Sequence, residues 1–374
     1  MPTVAVAGSI WGVTASLGEE GTEVAAAAGG AGVTRLRALA ATPLVVSPMA
    51  GGPSTVELAA AASKAGAFVF LAGGYKKSED LRAEIAAVRE AGVGTFGVNL
   101  FVPGTPTDVP AQLEAYLAAL RPLAESLGTE LGAGEWDDDD YAAKLALVLD
   151  EKPAVVSFTF GLPDPEAVSA LRGAGSLVMV TVTTPEEAAV ALRAAPDALC
   201  LQGAEAGAHR GSLSNADRPD ADRPVRALLA SVRRRTLVPL VAAGGVAEPD
   251  DVTDLLARGA TLVQAGTAFL RCPESGAQPV VKEALADPAF TVTAVTRAFS
   301  GRRARALVNA MVDEHPDAPA AYPEINNATR PLRAAAARAR DPAHMSLYAG
   351  TGFLGARADP AAEVVERLVS GWRR

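Results

Sequence analysis

The residues best suited to chemistry lie in one stretch, Gln202-Gly203-Ala204-Glu205-Ala206-Gly207-Ala208-His209-Arg210-Gly211. The chain has only 3 histidines, and His209 alone sits just past a short apolar run, Leu199-Cys200-Leu201. Imidazole has the unperturbed pKa nearest neutrality, so a histidine there suits proton transfer. His315 and His344 fall among prolines and aspartates and read as surface residues. Glu205 reads as a support for the loop. Two more glycine turns follow apolar runs, Ala243-Gly244-Gly245-Val246 and Gln264-Ala265-Gly266-Thr267-Ala268. Glycine lets backbone N–H groups approach a ligand closely. Such groups at a helix start cradle an anion, and the Thr267 hydroxyl adds a donor.

These turns need a scaffold. Short, mostly unalternated apolar runs recur at 44–47, 67–71, 95–99, 154–158, 176–182, 198–202, 239–243 and 261–265. That character suits strands buried on both faces, as in a parallel sheet. Helix-start chemistry lies between most of them: Ser78 with Asp80, Pro185 with Glu186 and Glu187, and Pro249 with Asp250 and Asp251. The spacing is mostly one βα unit, and eight units close a (β/α)8 TIM barrel. The glycine turns then fall at the ends of strands 7 and 8, where barrels commonly bind phosphate. Such a site fits flavin mononucleotide (FMN) or a sugar phosphate. The barrel is expected over 41–272, with a helical insertion at about 107–150. Residues 1–40 read as an N-terminal extension, a poorly ordered tail or a start codon placed too early. Residues 273–374 read as a mainly helical lid region, with a helix around 303–312.

Lys+Arg 34 against Asp+Glu 43 gives a net charge of -9, which argues against nucleic-acid binding. No long apolar stretch argues for a membrane span, and the N-terminus lacks the basic start of a signal peptide. The sequence reads as a cytoplasmic protein, and its oligomeric state stays open between monomer and homodimer. Two cysteines cannot build a disulfide framework. Cys200 reads as a core thiol, and Cys272 as one that could be exposed. No Gly-x-Ser-x-Gly, His-Glu-x-x-His or Cys-x-x-Cys occurs, so serine-hydrolase and zinc chemistry have little support. No metal site is expected; the Asp137–Asp140 run reads as a solvated helix start.

Five segments occur in order: Val45-Val46-Ser47-Pro48-Met49-Ala50-Gly51-Gly52, Gly97-Val98-Asn99-Leu100-Phe101, the His209 loop, and the two glycine turns. Together they resemble the nitronate monooxygenases, formerly called 2-nitropropane dioxygenases. Phe299-Ser300-Gly301-Arg302 and Leu347-Tyr348-Ala349-Gly350-Thr351-Gly352 resemble the class I branch. The resemblance runs from Thr42 to Phe353. It implies a barrel holding FMN noncovalently and an oxidoreductase that converts alkyl nitronates, propionate 3-nitronate among them, with O2 to a carbonyl compound and nitrite through a flavin semiquinone. Carried over by motif, Met49 and Ala50 lie along the flavin ring. Asn99, Gln202, Gly207, Gly244, Gly245, Gln264, Ala265, Gly266 and Thr267 contact the cofactor, and His209 is the catalytic histidine. Arg302 and Arg303 read as surface residues, with a substrate carboxylate as their alternative partner. Relatives usually have Gly-Gly-His where this chain has Gly207-Ala208-His209. The added methyl is expected to fit if Ala208 keeps a negative φ or the loop relaxes. The nearest rival is an FMN-dependent enoyl-acyl-carrier-protein reductase driven by NAD(P)H. Further rivals are a non-catalytic flavin or phosphate-binding module and a flavin-free sugar-phosphate isomerase.

Overall fold

Eight parallel strands close into a barrel: β1 (Leu44–Val46), β2 (Phe68–Ala72), β3 (Gly97–Phe101), β4 (Val155–Thr159), β5 (Leu177–Val182), β6 (Ala198–Gln202), β8 (Leu240–Ala243) and β9 (Leu262–Ala265). The protein is described as a computed structural model covering residues 30, 32–216 and 222–372. The two-residue strand β7 (Ala208–His209) leaves the barrel to join β10 (Thr293–Thr296) and β11 (Ala304–Leu307) in a separate sheet ordered β10-β11-β7. The barrel's ladders include Val45↔Phe68, Phe70↔Gly97, Val98↔Val156 and Val241↔Leu262.

Side chains alternate along each strand, so each strand feeds two cores. Val45, Phe68, Phe70, Val155, Met179, Cys200 and Val241 fill the barrel interior. Val46, Val69, Leu71, Val98, Val156, Val180 and Leu199 pack outward against the surrounding helices. Phe68 and Phe70 meet edge to face at 5.2 Å. Gly97 is the residue that makes room for the Phe70 ring, since a Cβ there would collide with it. Truncating Phe70 to alanine would cost about 3–5 kcal/mol for a cavity in so dense an interior.

The helices start as the sequence indicates. Thr184 accepts the Glu187 N–H at 3.1 Å ahead of helix Pro185–Ala191. Glu248 and Asp251 form a capping box on helix Pro249–Ala257. The 107–150 insertion holds helices Pro110–Ser126 and Tyr141–Glu151. Its first helix packs Tyr116 and Leu120 against Phe299 and Ile325, beside helix Glu324–Arg338.

Several expectations change. Within the expected N-terminal extension, residues 32–37 are helical and Leu36 is buried with the barrel-interior residues; residues 1–29 lie outside the described residues. Cys272 is fully buried rather than exposed. Of the helix expected around 303–312, residues 304–307 instead form strand β11, with Ala304 and Ala306 buried by sheet pairing, and a short helix follows at Ala310–Glu314. The region after 273 is therefore mixed, with a β-hairpin beside its helices. No described helix is long and apolar enough to cross a membrane.

Candidate functional site

His209 is fixed by strand pairing. Its register partner is Ala304, and the Arg210 N–H donates to the Arg303 carbonyl at 2.8 Å. Gln202, at the end of β6, clamps the loop from below. Its Nε2 donates to the His209 carbonyl at 2.9 Å, and its Oε1 accepts the Gly211 N–H at 2.8 Å. Both ends of this amide thus serve the loop that carries His209. Arg210 is buried and donates to the Gln202 carbonyl at 3.2 Å, adding a second clamp. Glu205 accepts the Val225 N–H at 2.9 Å, the supporting role expected of it.

The imidazole Nε2 lies 2.7 Å from the buried Ser300 hydroxyl. Phe160, Tyr322 and Tyr348 surround the ring with centroids at 5.9, 5.6 and 5.3 Å. Burial, reinforced by the Arg302 and Arg333 guanidiniums, pushes the His209 pKa from 6.5 down to about 3. The ring is therefore neutral at ordinary pH. Ala208 does not keep a negative φ: it stands at 62°, in the left-handed region. A side chain there costs about 1–2 kcal/mol relative to glycine.

The remaining motif residues gather at the ends of β1, β3, β8 and β9. Gly244 and Gly245 have φ of 112° and 70°, and they and Val246 donate no backbone hydrogen bond to any described residue. The Thr267 hydroxyl accepts the Gly350 N–H at 2.9 Å, which leaves its own hydrogen to donate. Gly207 has no room for a Cβ, which would sit 2.5 Å from the Ala349 carbonyl carbon. Gln264 is buried, and its Oε1 has no hydrogen-bond partner among the described residues. Ala265 is buried and its carbonyl accepts the Ser47 N–H at 2.9 Å. Gly266 comes close to Met49: a Cβ on it would lie 3.6 Å from the Met49 sulfur. Ala50 follows Met49 in the turn after β1, where Ser54 accepts the Met49 N–H at 2.9 Å. Asn99 is buried and donates to the Ser157 and Thr159 hydroxyls at 2.8 and 3.0 Å, leaving its carbonyl oxygen for another partner.

Next to the His209 ring, which Phe160 and Tyr322 touch, lies a cavity of about 410 Å3 lined by Tyr75, Phe160, Arg302 and Tyr322 among others. Arg302 is 5% exposed and not a surface residue. Its guanidinium lies 3.9 Å from the Phe160 ring centroid and 5.7 Å from that of Tyr322. It bonds the Ser212 carbonyl and forms no ion pair with a described carboxylate. Arg303, in contrast, pairs with Asp222.

Phe160, Ser300, Tyr322, Tyr348 and Tyr75 are not site candidates in the sequence beyond the short class I segments, and Arg302 is one only as the alternative partner of a substrate carboxylate. One signal was available: the chain has only 5 tyrosines, and Tyr75, Tyr322 and Tyr348 converge here. The Asp137–Asp140 run is also more than a solvated helix start. Asp139 is 2.8 Å from the buried Lys144 ammonium. Among the described residues no cluster of His, Cys, Asp and Glu could hold a metal ion.

With the geometry in place, relatives can be weighed. A family model described as nitronate monooxygenase matches residues 34–371. A nitronate monooxygenase of Pseudomonas aeruginosa is 39% identical over 346 residues, which is 88% of this chain and 96% of that protein. A solved structure of nitroalkane oxidase from Streptomyces ansochromogenes superposes with a TM-score of 0.87 at 46% identity, covering 90% of this chain and 97% of that one. FabK from Thermotoga maritima shares the fold, with a TM-score of 0.66 at 24% identity over 90% of this chain and 94% of that one. The chain belongs to the nitronate monooxygenase family of oxidoreductases.

Proposed function

We propose that the chain oxidises alkyl nitronates, propionate 3-nitronate among them, with O2 to a carbonyl compound and nitrite, using noncovalent FMN. One observation carries the substrate reading. Arg302 is a buried cation facing the cavity, with no described carboxylate in direct contact and the buried Glu187 acting only at longer range. A buried charge without a partner is costly, so the site favours an anionic ligand. A nitronate is such an anion.

The residues present fit FMN. The free amides of Gly244, Gly245 and Val246, with the Thr267 hydroxyl, match a phosphate. The unpartnered Gln264 Oε1 supplies an acceptor for a donor of the cofactor, and Met49 and Ala50 border its ring. When bound, FMN supplies the electron transfer between nitronate and O2. The protein's part is binding, orientation and charge. Arg302 pairs with the substrate anion, and the aromatic walls of Phe160, Tyr322 and Tyr348 exclude water. His209, neutral and held at Nε2 by Ser300, offers its other nitrogen, Nδ1. With a neutral nitroalkane that nitrogen would take the α-proton; with a preformed nitronate no base is needed. The barrel over 41–272 holds the cofactor, and the 107–150 insertion with 273–374 closes over the substrate.

The test is anaerobic mixing of purified protein with propionate 3-nitronate, followed by visible absorbance and then air. The expected result is a flavin spectrum that changes with nitronate and recovers with O2, with nitrite released. A yellow protein unchanged by nitronate but bleached by NAD(P)H would assign an enoyl reductase instead. A colourless protein that takes up no FMN would remove the flavin reading.

A further inference from the structure

We propose that Tyr75 orients the substrate by donating its hydroxyl hydrogen to the anionic head, and that Asp139 positions it for this role. The proposal rests on the reading of the cavity as a nitronate site. No sequence motif pointed to either residue, and the mechanism above uses neither.

The backbone is the first observation. Tyr75 follows β2 with a φ of 66°, and the residues bracing it, Asp139 and Asp140, stand at 56° and 55°. Left-handed backbone at a non-glycine residue is costly and persists only where its surroundings enforce it, often at functional sites. Here the enforcement is visible. The Tyr75 N–H donates to Asp139 Oδ1 at 2.8 Å, and the Ser78 N–H donates to Asp140 Oδ2 at 2.8 Å. The latter caps helix Ser78–Glu90, whose own N-cap residue, Lys77, makes no side-chain cap bond. Asp139 in turn is held by Lys144, which is 1% exposed, at 2.8 Å and off the line of an ideal hydrogen bond. A buried ion pair is a poor source of stability compared with apolar packing. Fixing a geometry is the better account of this one.

The hydroxyls are the second observation. The Tyr75 and Tyr322 hydroxyls lie 3.2 Å apart and share one hydrogen bond in which either can donate, so the pair keeps one phenolic hydrogen for a ligand. Both rings line the cavity that holds Arg302. Burial, with Tyr322 and Tyr348 close by, raises the Tyr75 pKa well above 10.0. The group is thus a donor and not a competing anion. A cation and a phenolic donor lining one cavity suit a planar, two-oxygen anionic head. The acidic run also ties the two cavity walls together. Asn327, on the helix that follows Tyr322, donates to Asp137 Oδ2 at 2.6 Å.

Tyr75→Phe removes only the hydroxyl. The flavin-loaded protein is titrated calorimetrically with nitrate, a planar anion shaped like the nitronate head that cannot be oxidised. In parallel, KM and kcat are measured with propionate 3-nitronate. Loss of a hydrogen bond to a charged group should raise the nitrate Kd and the nitronate KM about ten-fold or more, with kcat changed about two-fold or less. Tyr322→Phe leaves the Tyr75 donor in place and should raise both by about three-fold or less. Asp139→Ala should raise Kd in the same direction. Combined with Tyr75→Phe it should add almost nothing, because both changes remove one interaction. A nitrate Kd equal in wild type and Tyr75→Phe, or no nitrate binding by wild type, overturns the proposal. So do additive effects in the double variant. The nitrate titration is independent of turnover: a ten-fold loss of nitrate affinity in a protein that fails to oxidise nitronates would sink the proposed reaction and keep Tyr75 as an anion-orienting donor.

Discussion

His209→Gln tests the desolvation of the His209 ring through stability alone. Glutamine keeps a polar group within reach of Ser300 but does not titrate. In the parent, the folded pKa of about 3 lies below the ordinary 6.5 of the unfolded chain. The neutral ring thus favours the fold above pH 6.5, and this contribution is lost as pH falls from 6.5 towards 3. At pH 7.5 folded and unfolded chains both hold the ring almost wholly neutral. At pH 5.5 the unfolded chain binds about 0.9 proton at this site and the folded chain almost none, which costs the parent about 1.4 kcal/mol. Urea unfolding of both proteins, followed by circular dichroism at the two pH values, isolates this contribution. The parent should lose about 1.4 kcal/mol more than the variant between pH 7.5 and 5.5. Equal losses, within about 0.3 kcal/mol, would refute the picture of a desolvated ring beside two guanidiniums.

His209→Asn should lower turnover of a neutral nitroalkane by about 10²–10⁴ and that of a preformed nitronate by about ten-fold at most. Oxygen uptake with each substrate checks this, and equal losses would remove the general-base role. Ala208→Gly relieves left-handed strain of about 1–2 kcal/mol but loosens the unfolded chain by about 0.4–1 kcal/mol, so a net gain of about 1 kcal/mol is expected in urea unfolding. A loss of stability would show that Ala208 does not hold that backbone. Thr267→Val removes the proposed phosphate donor and strips the Gly350 N–H of its acceptor; on that proposal the FMN Kd, read from flavin fluorescence with apoprotein, should rise about ten-fold. An unchanged Kd would detach this hydroxyl from the cofactor.

The barrel was largely legible in the sequence. Each strand of a parallel barrel is buried on both faces, so runs such as 176–182 and 198–202 stand out, and β5 and β6 begin within a residue of them. The glycine turns at the ends of β8 and β9 were legible too, because Gly244 and Gly266 follow such runs directly. The lining of the cavity was not. Phe160, Tyr75 and Tyr322 are far apart in sequence and meet only through tertiary packing, at turns with no local signature. β11 was misread because Arg302-Arg303-Ala304-Arg305-Ala306 satisfies helical propensity, while sheet pairing with β10 and β7 decides the outcome. Arg302 was taken for a surface residue because arginine is rarely buried. Its burial depends on a ring, Phe160, some 140 positions earlier in the chain.

Loops at the mouth of a barrel are the usual places for a protein to gain or lose residues. The one carrying His209 is closed to such change. His209 sits opposite Ala304 in a strand pair, and neighbouring strand residues point to opposite faces. Inserting or deleting one residue between Gln202 and His209 would therefore turn the imidazole away from Ser300 and the cavity. His209 has the indel tolerance of a core strand, although it lies in what reads as a surface loop.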